Sequence, residues 1–229
     1  MSRDPGKWIA EVVPASAAVR DDAKVYLIDD DASVLNALSR LLREAGFKVE
    51  SFQSPHEFLL RDDADIPGCA VIDVSLGDYN GLELQSALES KGDARPIIFI
   101  TGKSDIATSV QAMKAGAVDF LTKPVQQEDL IEAVERALER DRRSRDEDKR
   151  LASIGLRLAS LTPREREVLG SVVAGRLNKQ IAAELGIAEK TVKVHRGRVM
   201  AKMAVRSVAD LVRIAESVPS LPNGQPRKK

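Results

Sequence analysis

The chain has 229 residues, 43% of them hydrophobic, which allows one or two domains with packed cores. No apolar run reaches the ~18 residues of a membrane span, no basic stretch followed by an apolar core opens the chain, and a single cysteine excludes an intramolecular disulfide framework. The expectation is a cytoplasmic protein with no membrane partner. Net charge is zero but unevenly spread: residues 161–229 carry 14 Lys and Arg against 6 Asp and Glu, a net of +8, and residues 1–160 carry 21 against 29, a net of −8. Such asymmetry points to an acidic module joined to one that binds nucleic acid.

Residues 1–23 show no clear period and read as an extension. From Lys24 to Arg140, strands and helices alternate. "KVYLI" is a continuous apolar run, as a strand covered on both faces requires. "SVLNALSRLLREAG" has a helical period, with Val34, Leu38, Leu41 and Leu42 on one face and Gly46 as its stop. "FKVES" follows as a strand. "SPHEFLL" opens a helix with Ser54 as cap, Pro55 next and Glu57 closing a capping box. "GCAVIDV", "PIIFIT" and "VDFLTK" are further strands. "GLELQSALES", "DIATSVQAMKAG" and "QEDLIEAVERALER" are the intervening helices. Five βα units give an open parallel sheet with helices on both faces, whose ligands sit beyond the carboxyl ends of the strands.

"DRRSRDEDKR" (Asp141–Arg150) is charged except for Ser144 and reads as a solvated helix or linker within 141–160. Leu151, Ile154, Leu158 and Leu161 fall at a/d spacing, a short candidate dimer seam. Beyond it, "TPREREVLGSVVAG" has Thr162 as cap with Glu165 closing its box. "NKQIAAELG" is capped by Asn178 and stopped by Gly186. "AEKTVKVHRGRVMAKM" and "SVADLVRIAES" complete an all-helical module at 161–218, before a tail at 219–229.

Strand ends in the first module gather chemistry. Asp29 and Asp30 end the first strand, Asp73 the third, Thr101 the fourth and Lys123 the fifth. Three carboxylates against one ammonium leave negative charge for a hard divalent cation such as Mg²⁺. A carboxylate can also act as a nucleophile and become an aspartyl phosphate. Lys123 would then pair with phosphoryl oxygens, and the Thr101 hydroxyl would hydrogen-bond one of them. Asp31 reads differently, as a helix start where a negative side chain caps free N–H groups.

Through "IDDD", "VIDVSLGDYNG", "FITG" and "AGAVDFLTKP", residues 24–140 resemble the receiver domain of two-component response regulators. The resemblance implies a flavodoxin-like α/β fold with strand order 2-1-3-4-5. It implies Asp73 as phosphoacceptor, and Mg²⁺ held by Asp29, Asp30, Asp73 and the backbone carbonyl of Ser75. It implies Thr101 and Phe120 as the switch pair and a cis Lys123–Pro124 bond. One departure is Leu76-Gly77-Asp78 where the family usually has Met-Pro-Asp, so a looser loop is expected beside Asp73. Ser75 and Lys103 sit where the family tunes dephosphorylation.

"NKQIAAELGIAEKTVKVHRGRVMAKM" reads as a helix-turn-helix, whose second helix enters the major groove. Ile181, Leu185, Ile187, Val192, Val199 and Met203 form its inward stripe. Lys190, Lys193, Val194 and Gly197 lie at i, i+3, i+4 and i+7 on a face that can reach bases. Lys179, Arg196 and Arg198 are placed to meet phosphates, and Thr191 completes the set of DNA-contact candidates. Residues 161–217 resemble the LuxR-type DNA-binding domain, whose reading head maps onto Lys193, Val194 and position 197; His195 reads as structural or backbone-contacting.

The joined pattern resembles the FixJ/StyR-like branch of response regulators. It implies a transcription regulator, not an enzyme by purpose, phosphorylated by a sensor histidine kinase with Mg²⁺. Phosphorylation would promote homodimerisation and binding to paired half-sites on double-stranded DNA, with RNA polymerase as a further candidate partner. The alternative is a phosphorylation-independent DNA-binding regulator whose receiver serves as a dimerisation module.

Overall fold

The computed structural model describes residues 23–77, 79–102 and 112–217. The expectations for the N-terminal extension up to residue 22, for Asp78, for 103–111 including Lys103, and for the tail lie outside them. The chain divides between Arg145 and Asp146 into two compact units.

In the first unit, β1 (Lys24–Ile28), β2 (Lys48–Phe52), β3 (Gly68–Asp73), β6 (Ile97–Thr101) and β7 (Asp119–Thr122) form a parallel sheet. Its order is β2-β1-β3-β6-β7, the one that the resemblance to receiver domains implied. Successive strand residues point to opposite faces, so each apolar run feeds two cores. Val25, Leu27, Val71, Ile98 and Ile100 pack with Leu35, Leu38 and Leu42 of α1 (Ala32–Glu44) and with Leu130, Val134 and Leu138 of α4 (Gln127–Ala159). Tyr26, Ile28, Ile72 and Phe99 pack on the other side with Phe58 of α2 (Pro55–Leu59) and with Leu84 and Leu88 of α3 (Gly81–Ser90). Of the predicted helix at 105–116, residues 112–114 are described and helical.

Local signals set the helix ends. Asp31 caps α1, its carboxylate accepting the Ser33 N–H at 2.7 Å. Gly46 (φ +90°) turns the chain out of α1, and the Phe47 N–H reaches back to the Leu42 carbonyl at 2.9 Å. The buried stripe of α1 centres on Leu35, Leu38 and Leu42, with Val34 and Leu41 only partly covered. Ser54 caps α2 through the His56 N–H, the second helical position and not the third that a capping box uses.

The charged run after Arg140 is helical, and it is not uniformly solvated. α4 continues unbroken to Ala159. Asp141 is buried and accepts the Gly68 N–H at 3.0 Å. It also pairs with Arg145, whose Nε lies 2.8 Å away. The Arg145 guanidinium donates to the carbonyls of Ala64 (2.8 Å), Asp65 (2.9 Å) and Ile66 (3.2 Å). These groups at the start of β3 have no strand partners there, so a side-chain clasp satisfies them.

The second unit holds the end of α4 with α5 (Pro163–Val173), α6 (Asn178–Leu185), α7 (Glu189–Lys202) and α8 (Val208–Ser217). Thr162 and Glu165 form the expected capping box. The candidate dimer seam is corrected: Ile154 and Leu161 are buried in this unit's own core, with Leu158 packed against it. These three residues of the stripe are covered within the chain by α5 to α8, and Leu151 is half-buried. The expected cap of α6 also shifts. Asn178 is the first helical residue and Leu177 the cap, with Gln180 Oε1 accepting the Leu177 N–H at 2.8 Å. Gly186 (φ +64°) stops α6 as expected.

Candidate functional site

The parallel sheet brings the carboxyl ends of β1, β3, β6 and β7 to one edge. Asp29 follows β1, Asp73 ends β3, Thr101 ends β6 and Lys123 follows β7. Asp29, Asp73 and Thr101 are buried, and Asp30 is exposed. Lys123 Nζ stands 2.8 Å from Asp29 Oδ2 and 2.8 Å from Asp73 Oδ2. The other Asp29 oxygen accepts the Asp31 N–H at 2.9 Å. Burial holds the Asp73 carboxyl above its ordinary value, and the Asp29 charge adds to this, while Lys123 and the Ser75 N–H pull the other way. Burial works to lower Lys123, but its two carboxylate partners outweigh it and hold the ammonium above its usual value. Lys123–Pro124 is cis.

One carboxylate oxygen each from Asp29, Asp30 and Asp73 lies within 4.8 Å of the others. Hard oxygen donors carrying more negative charge than Lys123 neutralises fit Mg²⁺. Phe120 is half-buried, its ring centroid 6.5 Å from that of Phe99.

Among the described residues, the segment beside Asp73 carries a short pair of strands. β4 (Ser75–Leu76) and β5 (Tyr79–Asn80) pair antiparallel, Ser75 opposite Asn80 and Leu76 opposite Tyr79. A tight turn joining two such strands needs positive φ. Gly77 supplies it at +61°. Proline, locked near −65°, cannot occupy that conformation. A Cβ on Gly77 would lie 3.7 Å from Asp30 Oδ2, so the hairpin passes close to the acidic cluster.

In the second unit, Val192 and Val199 of α7 are buried with Ile181 and Met203, and Leu185 and Ile187 pack against them, as the inward stripe required. The opposite face exposes Lys190, Thr191, Lys193, Val194 and Gly197 together with Arg198. Val194 is 48% exposed. Lys179 is exposed on α6. Arg196 is half-buried and donates to Asn178 Oδ1 at 2.9 Å; Asn178, read from sequence only as a cap, thus tethers it to the start of α6. His195 is half-buried.

Residues 25–135 match the family of response regulator receiver domains, and residues 159–215 match the bacterial regulatory proteins of the luxR family. Nodulation protein W of Bradyrhizobium diazoefficiens is 45% identical over 196 residues, covering 86% of each chain. Response regulator protein TodT of Pseudomonas putida is 44% identical over 216 residues, covering 93% of each. Among solved structures, the response regulator StyR is 43% identical with a TM-score of 0.78, covering 86% of this chain and all of that one. Full-length FixJ from B. japonicum is 39% identical with a TM-score of 0.52, covering 84% of this chain and 95% of that one. No helix among the described residues is long and apolar enough to cross a membrane. With an acidic cluster at the sheet edge of one unit and an exposed basic helix in the other, this chain belongs to the response regulators that join a receiver domain to a LuxR-type helix-turn-helix domain and act as transcription regulators.

Proposed function

We propose that Asp73 accepts a phosphoryl group from a sensor histidine kinase and that the phosphorylated chain dimerises and binds paired half-sites on double-stranded DNA. The observation that carries this reading is the shared contact of Lys123 with Asp29 and Asp73, at 2.8 Å each, in a cluster completed by Asp30. An Asp73 carboxylate oxygen attacks phosphorus, the bond from phosphorus to the kinase histidine breaks, and its electron pair returns to the imidazole. Lys123, already paired with Asp73, is positioned to follow the charge onto the phosphoryl oxygens. Asp29, Asp30, Asp73 and the Ser75 carbonyl would hold Mg²⁺, which would supply positive charge to offset the incoming phosphate. The Thr101 hydroxyl moves toward the phosphoryl group, and Phe120 turns with it.

In the second unit, Lys190, Lys193 and Val194 read base edges, and Lys179, Thr191, Arg196 and Arg198 hold the backbone. Phosphorylation acts by favouring the dimeric, DNA-binding form of a two-state equilibrium. RNA polymerase is the partner that such a regulator would recruit or block at a promoter. The test is DNA affinity with and without a small acyl phosphodonor and Mg²⁺, followed over a range of salt. Tighter, salt-dependent binding on phosphorylation is expected. Equal affinity in both states would favour the phosphorylation-independent alternative.

A further inference from the structure

The inward stripe of α4 runs through Leu130, Val134, Ala137 and Leu138, all buried. The next places on that face are Asp141 and Arg145. A core stripe calls for apolar residues there. A buried ion pair is a weak source of stability, because apolar residues of similar size often serve a fold as well or better. Its best-attested use is to specify one arrangement against another. Asp141 and Arg145 are therefore better explained by what they hold in place than by what they add to the core.

What they hold has two ends. One is the helix itself. Between Leu138 and Ile154, Asp141 is the one buried residue of α4, and 142–144 and 146–150 are exposed. That is roughly four turns without a buried apolar side chain. Helices in proteins owe most of their stability to such packing. Pairs along the helix, such as Glu139 with Arg142 and Glu147 with Arg150, each add little. The other end is β3. Asp141 takes the N–H of Gly68, its first residue, at 3.0 Å, and Arg145 takes the three carbonyls just before it. Gly68 is itself wedged, since a Cβ there would stand 2.2 Å from the Lys24 carbonyl oxygen. All six residues of β3 are buried, and the last of them is Asp73. One buried strand thus carries Asp73 at its carboxyl end and the clasp at its amino end. Immediately beyond Arg145, α4 passes from the first unit into the second.

We propose that the clasp of Asp141 and Arg145 on the amino end of β3 is a latch. Closed, it keeps the charged stretch of α4 helical; open, it lets that stretch melt. The state of Asp73, passed along β3, shifts the balance between the two forms and so reaches the second unit. This rests on the reading of Asp73 as phosphoacceptor and of the second unit as DNA-binding, and it names the side chains through which one acts on the other.

The experiment compares the full wild-type chain with Arg145→Ala and Arg145→Lys, each with and without Mg²⁺ and a small acyl phosphodonor. Three quantities are read: phosphoryl uptake by intact mass, amide hydrogen exchange across 139–150, and affinity for a duplex that the wild-type chain selects from a randomised pool. In Arg145→Ala, uptake should match wild type, and exchange across 139–150 should quicken at least about tenfold. The wild-type gain in DNA affinity on phosphorylation, about 5–150-fold for an ordinary coupling, should fall to about twofold or less. Arg145→Lys keeps a charge beside Asp141 without the fork of donors; it should lie between the two, and it carries the test if the alanine chain does not fold. Unchanged exchange, an affinity gain as large as that of wild type, or loss of phosphoryl uptake in Arg145→Lys overturns the proposal. If the wild-type chain takes up no phosphoryl group or enriches no duplex, the reading of Asp73 or of the second unit has failed instead, and the exchange measurement, which needs neither, still decides whether the clasp holds the helix.

Discussion

The Lys123 ammonium stands 2.8 Å from the Asp73 carboxylate, and the same nitrogen stands 2.8 Å from Asp29. One cation therefore serves two buried anions, and the exposed Asp30 adds a third within reach. Three carboxylates against one ammonium leave the cluster with an excess of negative charge, which a divalent cation would offset.

That imbalance predicts a pH dependence. The folded Asp73 carboxyl sits above its ordinary value because of burial and the Asp29 charge. Folding thus favours its protonated form. Its contribution to stability is full below the ordinary carboxyl range and is lost as pH rises through the raised folded value. At pH 7 without metal, Asp73→Asn should melt higher than wild type, and the gap should close toward pH 4. Adding Mg²⁺ should raise the wild-type melting temperature and leave the variant nearly unmoved. A variant that melts lower than wild type at pH 7 would contradict this.

The clasp between Asp141 and Arg145 predicts a stability effect away from the Asp73 cluster. Arg145→Ala strips donors from the carbonyls of Ala64, Asp65 and Ile66 and leaves Asp141 buried without its partner. A loss of about 2–4 kcal/mol is expected in urea unfolding. Arg145→Lys should recover only part of it, because an ammonium cannot present the same fork of donors.

Glu165 links α5 to α7. It accepts the Thr162 N–H at 3.0 Å and pairs with Lys202 at 2.7 Å. The Lys202 ammonium and the Thr162 N–H pull its carboxyl down to about 2. A depressed value means the stabilisation is present above the ordinary value near 4.5 and is lost as pH falls through about 2. Glu165→Gln should melt below wild type at pH 7, with the difference shrinking across that window. A difference that stays constant with pH would exclude the charge as its cause.

Gly77 offers a test of the loop beside Asp73. Its φ of +61° costs a residue with a Cβ about 1–2 kcal/mol. Gly77→Ala should lose that much in urea unfolding, and Gly77→Pro more, since its ring cannot adopt the angle at all. A Gly77→Pro chain as stable as wild type would show that the hairpin is not held in this form.

Much of this was legible because the signals are local. Asp31 carries its cap in its own side chain, and the runs at Val25–Ile28 and Ile97–Ile100 announce strands covered on both faces. The order of Asp29, Asp73, Thr101 and Lys123 along the chain was enough to converge them once the strands were parallel. Other features depend on distant partners. Asp141 and Arg145 looked solvated because the backbone groups they satisfy lie more than 70 residues earlier. The stripe of Ile154, Leu158 and Leu161 says only that something covers it, and α5 to α8 of the same chain do so. The hairpin at 75–80 has strands of two residues each, too short to leave a period.

The central claim is that Asp73 is the phosphoacceptor. It is tested most directly by incubating the full chain with Mg²⁺ and a small acyl phosphodonor and measuring its intact mass. Wild type should gain the mass of one phosphoryl group and lose it again on alkaline treatment, and Asp73→Asn should gain nothing. Uptake that persists in Asp73→Asn, or none in the wild-type chain, would contradict it.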